Sequence, residues 1–200
     1  MKQKLHEKHM KGAYRRKKCE AVRSSEYSTN GDQPVNNISW VQAKAYCEWR
    51  EARLPTEVEW EYAARGPDNL RFPWGNSLQG NEANHCDSTC GNESFSANLT
   101  YKNLNHNDGY AGTSPVKSYE NGKSWVGAYD IAGNLWEWTS SKYHHYPYLP
   151  DDGREEDIGS DSRVLRGGSF NSADEKLRTT GRFARDPMEI DDVIGFRCAR

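Results

Sequence analysis

The stretch "YDIAGNLWEWTSS", Tyr129 to Ser141, carries the reading on which the fold turns. Its first half is a tight turn, because Gly133-Asn134 is a pair that tolerates a left-handed backbone. Its second half places Trp136 and Trp138 on one face of a strand that runs into a core. Asp130 and Glu137 stand on either side of the glycine. Oxygen ligands in a turn, with glycine letting backbone carbonyls face inward, suit Ca²⁺. The Asp/Asn alternation of an EF-hand loop is missing. A turn leading into a Trp-rich core strand is the plainer reading of the same residues.

Short strand-like runs flank this stretch: "PVKSY" (115–119) before Asn121-Gly122, then "RVLRGG" (163–168) and "IGFRCAR" (194–200). In the last, Ile194, Phe196 and Cys198 share a face. Upstream, the pattern is helical. Ser39 and Gln42 form a capping box ahead of Trp40, Ala43, Tyr46, Cys47 and Trp49, which give a broad apolar face. Thr56 and Glu59 repeat the grammar, Glu57 and Glu59 favour the positive helix end, and Gly66 is the stop. Residues 1–20 read as a further helix and 23–34 as a loop. The class is therefore α+β, with helices first and a loop-heavy, partly β second half.

Between Gly66 and Gly112 no long periodicity appears, and a loop of that length needs something to hold it. Asn84 and Asp108, at its two ends, are a second oxygen-rich pair. "CDSTC" adds Cys86 and Cys90, which suit a local disulfide or half a metal site; no second Cys/His pair of zinc spacing exists.

Two hundred residues suit one domain or two small ones. Mean hydropathy is −1.04, yet seven Trp and eleven Tyr supply core area and argue against disorder. A net charge of −2 gives no case for nucleic acid. No run is apolar enough for a membrane span or a signal peptide, so the chain as given reads as cytoplasmic. His6 and His9 share a helical spacing, and His144-His145 sits in an aromatic loop; both pairs read as solvated surface.

Six ordered motifs, "PVNNISWVQAKAYCEWREARLPTEVEWEYAARG", "FPWGN", "DGYAGTSPV", "YDIAGNLWEWTSS", "RVLRGGSF" and "IGFRCAR", resemble the formylglycine-generating enzyme (sulfatase-modifying factor) family. The resemblance covers 34–200 and leaves 1–33 as an N-terminal helix and loop, without the strands that usually open the family's domain. It implies a C-type-lectin-like variant with two main helices, a small twisted sheet and little other regular structure. It also implies two structural calcium sites. One would use the side chains of Asn84 and Asp108 with the carbonyls of His85 and Tyr110. The other would use Asp130 and Glu137 with the carbonyls of Gly133 and Leu135. Cys47 and Cys198 match positions that pair in secreted relatives, which sets a periplasmic or secreted location against the cytoplasmic reading if the start of the chain is incomplete.

The family's enzymes hold Cu(I) between two cysteines shortly after "RGGS". Those positions fall near Ser172 and Leu177, and a hydroxyl and an isobutyl group cannot replace two thiolates. No copper and no copper-dependent formylglycine generation are expected. The expected role is a calcium-stabilised pseudoenzyme module for a protein or peptide ligand. Its recognition surface would include Ser172, Lys176, Arg178, Arg182 and Arg185. The alternative is a maturation oxidase that acts on a protein or peptide through a different centre.

Overall fold

The computed structural model describes residues 25, 27–90, 102–149 and 151–200. The helix expected over 1–20 lies outside them. Among the described residues two helices come first: α1, Trp40–Trp49, and α2, Glu57–Arg65. Both begin with the capping boxes written in the sequence. The Ser39 side chain accepts from Gln42 N and the Thr56 side chain from Glu59 N, while Gln42 and Glu59 reach back to the cap amides. Gly66 ends α2 at φ 68°, where a β-carbon would meet the Trp125 ring.

Four strands follow among the described residues: β1, Trp136–Lys142; β2, Arg163–Arg166; β3, Arg182–Arg185; and β4, Ile194–Phe196. They form one sheet in the order β3-β2-β1-β4. β1 and β2 pair antiparallel with an irregularity between Trp138 and Lys142, β2 and β3 pair antiparallel, and β4 joins β1 in parallel. This is the α+β architecture expected, two helices on a small mixed sheet. "PVKSY" is not a strand. Lys117 takes φ 68° and its amide donates to Asp130 Oδ2 at 2.7 Å, so the backbone turns where a ladder would continue.

The main core lies between α1 and the sheet. Trp40, Ala43 and Cys47 pack with Ile38, Leu54, Trp136, Trp138, Leu165 and Ile194. Trp138 Nε1 donates to Ile38 O and Trp40 Nε1 to Thr139 O, so neither indole N–H is stranded. The buried stripe of α1 is narrower than the sequence pattern suggested. Tyr46 and Trp49 are 45% and 57% exposed and pack beside it with their rings tilted at 56°. α2 buries Glu57, Trp60 and Ala64, a one-sided i, i+3, i+7 stripe. Two smaller clusters of described residues lie beside it: Trp60, Ala64 and Ile131, and Phe72, Ala83, Ala132 and Leu177.

Among the described residues two disulfides staple these parts. Cys47–Cys198 ties α1 to the residues just after β4, and Cys86–Cys90 closes a short loop. Among the described residues no helix is long and apolar enough to cross a membrane.

Candidate cation sites and ligand-binding loop

The irregular segment between α2 and β1 folds back so that Asn84-His85 meets Asp108 and Tyr110. Asp108 Oδ2 accepts from His85 N at 2.9 Å, and Oδ1 accepts from Tyr110 N at 2.9 Å and from Thr89 Oγ1 at 3.2 Å. The neighbouring Asp87 carboxylate takes the Asp108 amide. Burial is the main force raising the Asp108 carboxyl above the ordinary Asp range; its backbone hydrogen bonds pull the other way and Asp87 adds to the rise.

Asn84 Nδ2 donates to Gly112 O at 2.8 Å and reaches Asn134 Oδ1 at 3.4 Å. Its Oδ1 is buried with no hydrogen-bond partner. A buried acceptor without a donor, beside a buried carboxylate, is a donor set for a hard cation. Asn84-His85 and Asp108, expected to serve one cation, are thus brought together, while the Tyr110 carbonyl accepts from Thr89 Oγ1 at 3.1 Å.

The second oxygen set sits where the turn enters β1. Asp130, Gly133 and Asn134 all have positive φ, at 52°, 77° and 63°. A β-carbon on Gly133 would strike the carbonyl oxygen of Asn84, so glycine is required where the two sets meet. Asn134 joins them further: its amide donates to Asn84 O at 2.9 Å, and its Oδ1 accepts from Ser114 N at 3.0 Å. Burial also raises the Asp130 carboxyl, with the Lys117 amide opposing.

Glu137, from β1, is buried and engaged. Arg197 donates to both of its oxygens at 2.6 Å, and Trp60 Nε1 donates to Oε2 at 2.7 Å. The same guanidinium reaches the carbonyls of Tyr129 and Asp130. Both Glu137 oxygens are thus taken by Arg197, and Oε2 by Trp60 as well. A cavity of about 460 Å³ opens over this set, walled by Val35, Val116, Tyr129 and Phe196.

The loop after β2 holds the residues expected to recognise a ligand. Ser172 is buried: its Oγ accepts from Ser169 N at 3.0 Å, and its carbonyl accepts from Cys86 N at 3.0 Å. Leu177 is fully buried beside Phe72, Ala83 and Ala132. Lys176 and Arg178 are exposed.

Arg182 and Arg185 are not free cations. Arg182 donates to Glu57 at 2.5 and 2.7 Å and to His144 O at 3.0 Å, and lies over the Tyr143 and Tyr146 rings at 4.6 and 4.4 Å. Arg185 pairs with Glu189 at 3.1 Å and covers Phe183. Sequence reading missed these anchors because Glu57 and Arg182 are far apart in the chain. The available signal was the one-face spacing of Glu57, Trp60 and Ala64. Arg166, also unforeseen, is fully buried, with its guanidinium on Glu61, Thr179 O and Gly181 O.

Residues 2–200 match the family described as sulfatase-modifying factor enzyme 1-like domain. The chain is 38% identical over 172 residues to the inactive C-alpha-formylglycine-generating enzyme 2 of Bos taurus, covering 83% of this chain and 50% of that protein. It is 39% identical over 175 residues to the formylglycine-generating enzyme of Bos taurus, covering 84% and 44%. The chain thus spans about half the length of the curated relatives it matches. Among solved structures, PvdO from Pseudomonas aeruginosa superposes with a TM-score of 0.68 at 26% identity, over 89% of this chain and 65% of that one. Treponema denticola variable protein 1 shares the fold, with a TM-score of 0.62 at 24% identity, over 87% and 73%.

Proposed function

The chain belongs to the sulfatase-modifying factor family, and from that membership we propose that it is a non-catalytic member, a calcium-stabilised module that binds a protein or peptide ligand. One observation carries this reading. Leu177, at the place where family enzymes are expected to keep a copper cysteine, is fully buried among Phe72, Ala83 and Ala132. Its side chain belongs to the core and offers no lone pair to a metal. Ser172, at the companion position, spends its hydroxyl on Ser169. The identity to a relative named inactive points the same way.

Calcium would be held by Asn84 and Asp108 with the carbonyls of His85 and Tyr110, and by Asp130 and Glu137 with the carbonyls of Gly133 and Leu135. Bound there, it supplies charge neutralisation for buried carboxylates, and its binding energy counts as folding energy. Ligand contact falls to the exposed part of the 172–185 loop. Lys176 and Arg178 are its exposed cations, which suit an acidic peptide.

Three measurements test the reading. A sulfatase-type cysteine peptide, given copper and O₂, stays unconverted by mass. Elemental analysis after native purification finds calcium and no redox metal. In a screen of acidic peptides, the Lys176→Ala/Arg178→Ala variant loses binding and keeps its calcium-dependent melting. Conversion of the cysteine peptide, or a stoichiometric redox metal, would sink the proposal in favour of an oxidase with a different centre.

A further inference from the structure

We propose that the cleft between α2 and the loop 143–148 is an anchor subsite for the peptide ligand, taking an aromatic side chain beside a carboxylate; this rests on the chain being a peptide-binding module. Helix α2 carries two stripes. Glu57, Trp60 and Ala64 face the interior. Val58, Glu61, Tyr62 and Arg65 follow the i, i+3, i+4, i+7 spacing of a second face, which lines the cleft. Tyr146 and Tyr148 line it from the loop, and the space holds about 210 Å³. Tyr62 and Tyr146 are 56% and 53% exposed, yet both rings are held from behind. Tyr62 meets Trp125 edge-on at 5.1 Å. Tyr146 packs on the Arg182 guanidinium at 4.4 Å and donates to Glu61 Oε2 at 3.3 Å. Aromatic walls already fixed lose little freedom when a flat apolar group enters.

Charge selects the partner. Arg182 donates to both oxygens of Glu57, and Arg166 and Arg65 donate to the two oxygens of Glu61. Three guanidiniums thus meet two carboxylates, and an incoming cation finds neither acid free. Arg65 gives Nη1 to Glu61 at 3.1 Å, while its Nε is buried with no hydrogen-bond partner among the described residues. The Arg65 side chain is 33% exposed, so its unengaged edge can turn outward and fork onto a carboxylate. Backbone bonds tie the cleft to the loop after β2. Leu70 N donates to Arg65 O at 3.1 Å, Thr179 Oγ1 to Leu70 O at 2.7 Å and Thr179 N to Arg71 O at 3.0 Å. The exposed Arg178 directly precedes Thr179. One extended acidic peptide can therefore pair with Arg178 and place an aromatic–acidic step in the cleft.

The test titrates the full chain calorimetrically with two capped peptides of equal charge, Ac-Asp-Ala-Asp-Phe-Asp-amide and Ac-Asp-Ala-Asp-Ala-Asp-amide. The phenylalanine peptide is expected to bind at least about tenfold tighter. Arg65→Gln and Tyr62→Ala should each weaken its binding about tenfold, with the melting temperature as the control for folding. If Arg65→Gln fails to fold, Tyr62→Ala decides alone. Equal affinity for the two peptides, or a phenylalanine preference that the folded variants keep, overturns the subsite. Should Lys176→Ala/Arg178→Ala abolish binding in that case, the peptide-binding reading stands without the subsite. No binding of either peptide overturns both the subsite and the acidic-peptide reading.

Discussion

Arg197 grips both carboxylate oxygens of Glu137 and, with the same guanidinium, the carbonyls of Tyr129 and Asp130. A residue from the end of the sheet thus balances charge in the turn that enters it.

Removing that balance should be costly and ion-dependent. Arg197→Gln leaves the buried Glu137 carboxylate without its cation, a loss of about 3 kcal/mol when one member of a largely buried pair is deleted. Calcium held by Asp130 and Glu137 would neutralise the same charge. Urea unfolding of the variant should therefore show the full loss in chelator and a smaller one in millimolar calcium. Equal losses in both buffers would count against an ion on Glu137.

Calcium itself should raise the melting temperature of the unaltered protein. Binding at a hundred times its dissociation constant adds about 2.7 kcal/mol, or roughly 5–11 °C for a domain of this size. Asp108→Asn should remove much of that response, as read by differential scanning calorimetry.

The pH dependence of the calcium response has a sign. Folded Asp108 and Asp130 bind protons more tightly than their unfolded counterparts. In chelator, stability should fall as pH rises above the unfolded Asp value of about 3.9 and through the raised folded values. Calcium stabilises the ionised carboxylates, so the gap between calcium and chelator melting temperatures should widen over that rise. A constant gap would argue that neither carboxylate binds the ion.

At the start of α2, Arg53 forks onto Glu59 with two bonds of 2.6 Å, and Glu59 also caps Thr56. The Arg53 guanidinium first, then the Thr56 backbone and hydroxyl donors, hold the Glu59 carboxyl down at about 2. Its contribution is complete above the unfolded Glu value of about 4.3 and fades as pH falls toward the folded value. In Arg53→Ala, the Glu59 carboxyl resonance should titrate at visibly higher pH by NMR. The side chain is 43% exposed, so the accompanying change in stability should be small.

Leu177→Ala should cost about 2–5 kcal/mol, as truncation of a fully buried leucine does. Glu57→Gln should cost about 3 kcal/mol by stranding Arg182 beneath Tyr143 and Tyr146. Denaturant midpoints read both. A negligible effect at Leu177 would mean that the position is not core, and the case for lost chemistry there would weaken.

Local chemistry made α1, α2 and β1 legible. Ser39 and Thr56 write their caps into the chain, and Trp136 and Trp138 alternate with the period of a strand. The oxygen sets were legible in part, because Asp130 and Glu137 flank a glycine in one continuous stretch. Illegible were the relations that close over long separations. Glu57 reads as a first-turn acid suited to the helix dipole, yet it faces inward, and only the folded chain brings Arg182 to it. Arg154, Arg163 and Arg166 are fully buried and carry no local sign of it. The "PVKSY" strand failed for a similar reason: its turn is set by Asp130 accepting the Lys117 amide.

The parallel seating of β4 beside β1, with Cys198 bonded to Cys47 two residues later, sets an order of events. During synthesis, α1 and β1 leave the ribosome long before the strand that completes the sheet. Until Ile194–Phe196 emerges, β1 has an uncovered edge, and Trp136 and Trp138 lack part of their packing. The nascent chain would therefore wait in a half-closed state. That interval is when a chaperone, or a neighbouring chain with a strand to lend, would have its chance to bind.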